Sequence, residues 1–174
     1  GLTSGGAQVE LAGVIPTPGL AMLTGQRGAA AGVVISASHN PFADNGIKFF
    51  SAAGLKLSDE EEAEIEAHIV HDDLPSLSGR DFGTFGTLDH AVADYVEGVV
   101  RRIPLDLAGM RIAVDCANGA MSEAAPLALA RSGADVTVVC AAPDGTNINA
   151  GCGSTHIAAL QTMVADNGYD LGLA

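Results

Sequence analysis

The stretch Ser36-Ala37-Ser38-His39-Asn40-Pro41-Phe42-Ala43-Asp44-Asn45-Gly46-Ile47-Lys48 concentrates reactive groups: serine hydroxyls, an imidazole, amides, a carboxylate and an amine. An apolar run, Gly32 to Ile35, precedes it, and another begins at Ile47. Small and polar residues between apolar runs predict a loop held at strand ends, where α/β proteins place reacting groups. Taken alone, a serine there is a turn residue bonding its own backbone. A serine-hydrolase site is disfavoured. No G-x-S-x-G elbow frames Ser38, and His39, its immediate neighbour, is badly placed as its base. Pro41 restricts Asn40 to extended backbone. Gly46 is expected to take a backbone conformation closed to other residues, and Asp44 and Asn45 to shape the turn.

The flanking sequence predicts the elements that hold this loop. Residues 8–15 form a strand. Thr17 caps a helix with Pro18 in its first position, and Gly25 stops it. The strand Val33 to Ile35 is apolar on consecutive positions, so burial on both faces of a helix-covered sheet is expected. Residues 46–50 and 55–57 follow as strands. Ser58-Asp59-Glu60-Glu61 is a capping box that starts a helix reaching about Ile69, with Ala63, Ile65 and Ile69 inward. Residues 74–86 form a loop. Leu88, Val92, Tyr95, Val96, Val99 and Ile103 keep helical spacing, with Arg101 and Arg102 suiting the helix C-terminus.

Beyond Pro104 the pattern becomes strand (111–117), helix (123–132, with Pro126 in its first turn), strand (136–140), long polar loop (143–154), helix and strand (171–174). Ser154 or Thr155 caps the second helix. Ile157, Leu160, Met163 and Val164 face inward, and Asn167-Gly168 ends it. This βαβαβ order implies a parallel sheet with right-handed crossovers. The fold class is therefore α/β: mixed and parallel sheets covered by helices. Two consecutive units are expected, residues 1–104 and 105–174, the second cut short.

The chain has 174 residues, 8 basic and 21 acidic, for a net charge of −13. That balance argues against nucleic acid as partner, which needs a basic footprint. It leaves room for a small phosphorylated ligand in a locally positive pocket. The acidic run from Asp59 reads as a solvated helix face. No apolar run is long enough to span a bilayer. Cys116, Cys140 and Cys152 show no metal-ligand spacing. An odd cysteine count without a leader implies reduced thiols and a cytoplasmic location; Cys116 and Cys140 lie in apolar runs and are expected to pack in the core.

S-A-S-H-N-P followed by D-N-G-I-K-F-F resembles the phosphoserine loop of the α-D-phosphohexomutases. D-C-A-N-G-A (115–120), P-D-G-T-N-I-N (143–149) and C-G-S-T-H (152–156) resemble that family's second domain, in the wording of its glucosamine-phosphate branch. The resemblance runs over nearly the whole chain. It implies that Ser38 carries the phosphoryl group and that Ser36 does not. Phospho-Ser38 would pass the group to glucosamine 6-phosphate. The resulting sugar bisphosphate would return its other phosphoryl group, leaving glucosamine 1-phosphate for UDP-N-acetylglucosamine and cell-wall precursor synthesis. Lys48 matches the family's lysine after Asn-Gly and is the candidate general acid/base, a role that needs a depressed pKa; otherwise it is an exposed strand lysine. His39 would donate to the phosphate or assist proton transfer, and Asn40 would bind substrate or fix the loop.

Ser154, Thr155 and His156 either face the cleft and set sugar preference or only cap the helix. Mg²⁺ is implied, held by the phosphate on Ser38 and by three aspartates of a D-G-D-G-D-R loop that this sequence does not contain. The chain is therefore expected to be a fragment, most of domain 1 and part of domain 2, and inactive by itself. The alternatives are the same chemistry on mannose or glucose phosphates, or a non-catalytic sugar-phosphate-binding unit.

Overall fold

The computed structural model describes residues 1–71 and 77–174. In chain order it runs β1 (Val9–Leu11), α1 (Thr17–Arg27), β2 (Ala31–Ile35), β3 (Ile47–Ser51), α2 (Asp59–His71), β4 (Phe85–Thr87), α3 (Ala91–Arg102), β5 (Arg111–Asp115), α4 (Met121–Arg131), β6 (Asp135–Val139), α5 (Ala158–Asn167) and β7 (Leu171–Leu173). Short 3-10 turns occupy Thr3–Gly5 and Gly79–Asp81.

The strands form three sheets. β1 pairs in parallel with β4, β2 pairs antiparallel with β3, and β6-β5-β7 is a parallel sheet. The last is the βαβαβ unit expected from sequence. Its central strand is the most deeply buried: Ile112, Ala113, Val114 and Asp115 are all out of solvent, and Cys116 follows them inside. A strand flanked on both edges can bury consecutive positions in this way. Arg111 fastens the far end. Its backbone N–H donates to Asp170 Oδ2 at 2.8 Å, its guanidinium donates to the carbonyls of Asn167 and Gly168, and its side chain lies 4.9 Å from the Tyr169 ring centre. Those carbonyls end α5, so the cation satisfies acceptors that the helix leaves free.

A second core gathers Ile15, Leu23 and Ala91, with Leu20, Met22, Val92 and Tyr95 against it. α3 packs on α1 and also on α4, which joins this core to the parallel sheet. Glu10 and Arg27 tie β1 to the end of α1 through paired 2.9 Å hydrogen bonds. The Arg27 guanidinium thereby holds the Glu10 carboxyl below the usual carboxylate range.

Several expectations change. β2 is not covered on both faces: Gly32 is buried, but Ile35 is 75% exposed, because its sheet has only two strands. α1 runs through Gly25 and ends at Gly28, which takes the left-handed conformation (φ 64°) that a C-cap requires. Thr17 is the first helical residue and does not cap; the preceding Pro16 is the N-cap and lends its carbonyl to the N–H groups of Gly19 and Leu20. The first strand spans only 9–11, and 55–57 contributes a single bridge, Phe50 to Lys56. Of the three residues of α2 expected to face inward, Ala63 and Ile69 are exposed and Ile65 is half-buried. The expected 74–86 loop runs into β4 at Phe85, a strand that pairs with distant β1 and so has no local sign; residues 74–76 of that loop lie outside the described set. Pro126 falls in the second turn of α4, since that helix begins at Met121.

The capping box forms as expected: Ser58 N–H donates to Glu61 Oε2 at 2.8 Å and Glu61 N–H to Ser58 Oγ at 3.3 Å. Ser58→Ala should therefore lower stability by about 1 kcal/mol, read as a shift in the urea midpoint at constant slope. An unchanged midpoint would mean that the cap contributes nothing to this fold.

Candidate active site

The loop after β2 is pinched at its mouth, where Ser36 N–H donates to the Gly46 carbonyl at 2.8 Å. Gly46 is needed for that close approach: a Cβ there would stand 2.7 Å from the Ser36 carbonyl oxygen. Gly46 is not left-handed; that conformation falls at Ser38, φ 59°. That conformation is uncommon for a residue with a side chain and has to be held by its surroundings. Ser36 supplies one restraint, its Oγ accepting the Ser38 N–H at 3.1 Å. Ser38 Oγ lies 3.1 Å from His39 Nδ1, so the adjacent imidazole does reach the hydroxyl. Asn40 Nδ2 donates to Asp44 Oδ2 at 3.0 Å, closing the following turn. Ser38, His39 and Asn40 are all exposed.

The opposite wall grows from the carboxyl ends of β5 and β6. Asp115 is buried, and its carboxylate accepts from Ala117 N–H at 2.9 Å and from Gly153 N–H at 2.8 Å. Gly153 allows the second bond: its φ is 75°, and a Cβ would meet the Ala117 Cβ at 2.6 Å. Asn118 Oδ1 accepts from Ala142 N–H at 3.1 Å, holding the segment after β6. Asp144 builds the next turn. The Thr146 N–H, then the Thr146 hydroxyl, and the Asn147 N–H keep its carboxyl below the usual range.

His39 and Phe42 share an open depression of about 410 Å³ with Ile148, Asn149, Thr155 and His156. Asn149 Nδ2 reaches across it to the Asn40 carbonyl at 3.3 Å. The fold thus brings His39, Asn40, Thr155 and His156 to one place. Ser154 lines a separate depression with Ile157, Leu160 and Ala174. Neither Ser154 nor Thr155 caps α5, whose N-cap is Ile157 without a side-chain bond. Ile157 is 42% exposed, against the expectation that it faces inward. Lys48 is exposed on β3, opposite Val34.

Asp115, Asn118 and Asn149 were not singled out by residue type. Their motifs, D-C-A-N-G-A and N-I-N, were noticed, but only the folded chain shows what each side chain holds. The cysteines also differ from expectation. Cys116 is buried as expected, but Cys140 is only half-buried, and Cys152 is buried. Burial first, and then the neighbouring Asp115 charge, push the Cys116 thiol up. Although the cysteine spacing suggested no metal, the ligand atoms of Asp115, Cys140 and Cys152 lie within 4.8 Å of one another. Two sulfurs make a poor donor set for Mg²⁺, which prefers oxygen. Among the described residues no other such trio exists, so no cluster of carboxylates faces Ser38.

Residues 1–75 match the family model described as phosphoglucomutase/phosphomannomutase, alpha/beta/alpha domain I. Over its whole length the chain is 52% identical to a phosphoglucosamine mutase of Ruminiclostridium cellulolyticum and 51% identical to one of Deinococcus radiodurans. It spans 39% of each of those relatives. In fold it resembles a phosphoglucomutase/phosphomannomutase family protein from Burkholderia thailandensis, with TM-score 0.78 and 20% identity, covering 99% of this chain and 38% of that one.

Because Asp115 satisfies two backbone donors in a buried place, Asp115→Ala should cost about 3 kcal/mol or more. Urea unfolding measures this, and a loss below about 1 kcal/mol would show that the 153 turn stands without it.

Proposed function

We propose that this chain, which belongs to the phosphoglucomutase/phosphomannomutase family, is part of a phosphoglucosamine mutase and carries its phosphorylated serine. The observation that carries this reading is Ser38. Its hydroxyl is exposed at the tip of a strand-end loop, on a left-handed residue, with an imidazole nitrogen 3.1 Å away. The identity to curated phosphoglucosamine mutases supports the choice of sugar.

In the proposed reaction phospho-Ser38 faces the 1-hydroxyl of glucosamine 6-phosphate. The hydroxyl oxygen bonds to phosphorus, the bond from phosphorus to Ser38 Oγ breaks, and the hydroxyl proton passes to a base. Lys48 is the proposed base, and His39 hydrogen-bonds the phosphoryl group. The bisphosphate then turns round. Ser38 Oγ attacks its 6-phosphoryl group, the 6-oxygen leaves and takes a proton, and glucosamine 1-phosphate departs. Such transfers rest on positioning and charge compensation more than on covalent chemistry. Asn40 is proposed to orient the sugar from the serine loop. Thr155 and His156, across the same depression, are proposed to contact its amino-bearing side; Ser154, the preceding residue in the chain, lines the separate depression.

Mg²⁺ compensates phosphoryl charge when bound. This chain would offer it an oxygen of the phosphate on Ser38; three further carboxylates would have to come from elsewhere. The two units are proposed to meet near residue 104, between α3 and β5, and the site to lie between them. A cytoplasmic location goes with this reading. Among the described residues no helix is long and apolar enough to cross a membrane.

Phosphopeptide mass spectrometry of the longer protein containing this chain should place phosphate on Ser38, and Ser38→Ala should reduce turnover below detection while the protein still folds. Phosphate found on Ser36 alone, or an active alanine variant, would sink the assignment. In competition assays on that protein, kcat/KM should be higher for glucosamine phosphate than for mannose or glucose phosphates. A preference for mannose phosphate would move it to the phosphomannomutase reading, and Ser38 chemistry would survive that change.

A further inference from the structure

Asp115 ends the central strand β5, Cys140 follows β6, and Cys152 lies in the turn before α5. The fold brings these three separate segments together, with one carboxylate oxygen and two sulfurs all within 4.8 Å of one another. Asp115 and Cys152 are buried, and Cys140 is half-buried and so leaves a way in. A tetrahedral Zn²⁺ sits about 2.3 Å from sulfur and about 2.0–2.2 Å from carboxylate oxygen. Its ligand atoms therefore stand within the spread seen here.

We propose that Asp115, Cys140 and Cys152 form a binding site for a thiophilic divalent cation of the Zn²⁺ type, with the fourth position open to water. Donor capacity supports this. Each Asp115 oxygen accepts one backbone N–H and keeps a free lone pair. Among the described residues no basic side chain pairs with this buried carboxylate; the ion pairs are Arg27–Glu10 and Lys56–Glu62. The surroundings also orient the ligands. Asn118 Nδ2 lies 3.8 Å from Cys152 Sγ, and Asn118 is itself held by Ala142 N–H and the Asn147 carbonyl. Outer contacts of this kind fix ligating atoms.

Binding releases one proton from each thiol to solvent, and two thiolates and one carboxylate then share the cation. A Cys140–Cys152 disulfide is the competing use of the pair, and reducing the chain before the cation is added removes it.

Co²⁺ serves as the probe. Added to the reduced, chelator-treated chain, it should give thiolate charge-transfer absorption and the d–d bands of tetrahedral coordination, saturating at an equimolar ratio. Zn²⁺ should displace it, and Mg²⁺ should not. Cys140→Ser and Cys152→Ser, checked for native circular dichroism, should weaken the thiolate band and lower Co²⁺ affinity about tenfold or more, while Cys116→Ala keeps both. If the serine variants do not fold, the parent chain still decides: Zn²⁺ should protect Cys140 from alkylation, read by peptide mass spectrometry. Absence of the band in the parent, an undiminished band in the folded serine variants, or equal alkylation with and without Zn²⁺ overturns the proposal.

Discussion

The bond from the buried carboxylate of Asp115 to Gly153 N–H is the constraint on which the second wall of the candidate site depends. β5 is rigid because it is flanked on both edges and buried, so its last residue is a fixed post. The segment from Cys140 to His156 has no regular structure and takes its position from attachments to that post and to Asn118. A buried carboxylate left without donors would be costly. The turn at 153 is therefore as closely specified as the strand. The glycine there is part of the same constraint, because any side chain would collide with Ala117.

The same segment reaches the serine loop. Asn149 is left-handed, at φ 57°, and its side chain donates to the Asn40 carbonyl. Left-handed, non-glycine residues also occur at Ser38, Ala117, Asn118 and Cys140. They gather at the loops after β2, β5 and β6, where such backbone has to be held by its surroundings: Ser38 by Ser36 Oγ, and the other two loops by hydrogen bonds to each other, Asn118 N–H to the Cys140 carbonyl and Asn149 N–H to the Ala117 carbonyl. Packing of α3 on both α1 and α4 keeps the supporting elements in register with each other. The serine loop and the loop opposite are thus fixed independently and meet through few contacts.

Charge works with this arrangement. The chain is strongly acidic, yet the depression carries His39 and His156, and the acidic first turn of α2 belongs to another part of the fold. Carboxylates near the site are engaged: Asp44 by Asn40, Asp144 by Thr146 and Asn147, and Asp115 by backbone N–H groups. Hydrogen-bonded carboxylates accept locally instead of leaving bare negative charge toward the depression.

The sequence by itself determined the features governed by near neighbours. The serine loop between apolar runs, the Ser58–Glu61 box, the Gly168 stop and the strand-helix alternation after Pro104 were legible because caps, turns and periodicity act over a few residues. The same locality explains the errors. Gly25 and Gly28 are both plausible stops, and only the left-handed backbone at Gly28 separates them. β4 is a strand because β1, far away in sequence, supplies its partner. Burial of β2 was overestimated because an apolar run does not reveal how many strands flank it. Tertiary structure alone decided that Asp115, Cys140 and Cys152 converge and that Asn149 reaches Asn40. The order β6-β5-β7 sets which strand ends lie together, and that order comes from long-range packing, which the spacing of residues along the chain does not encode.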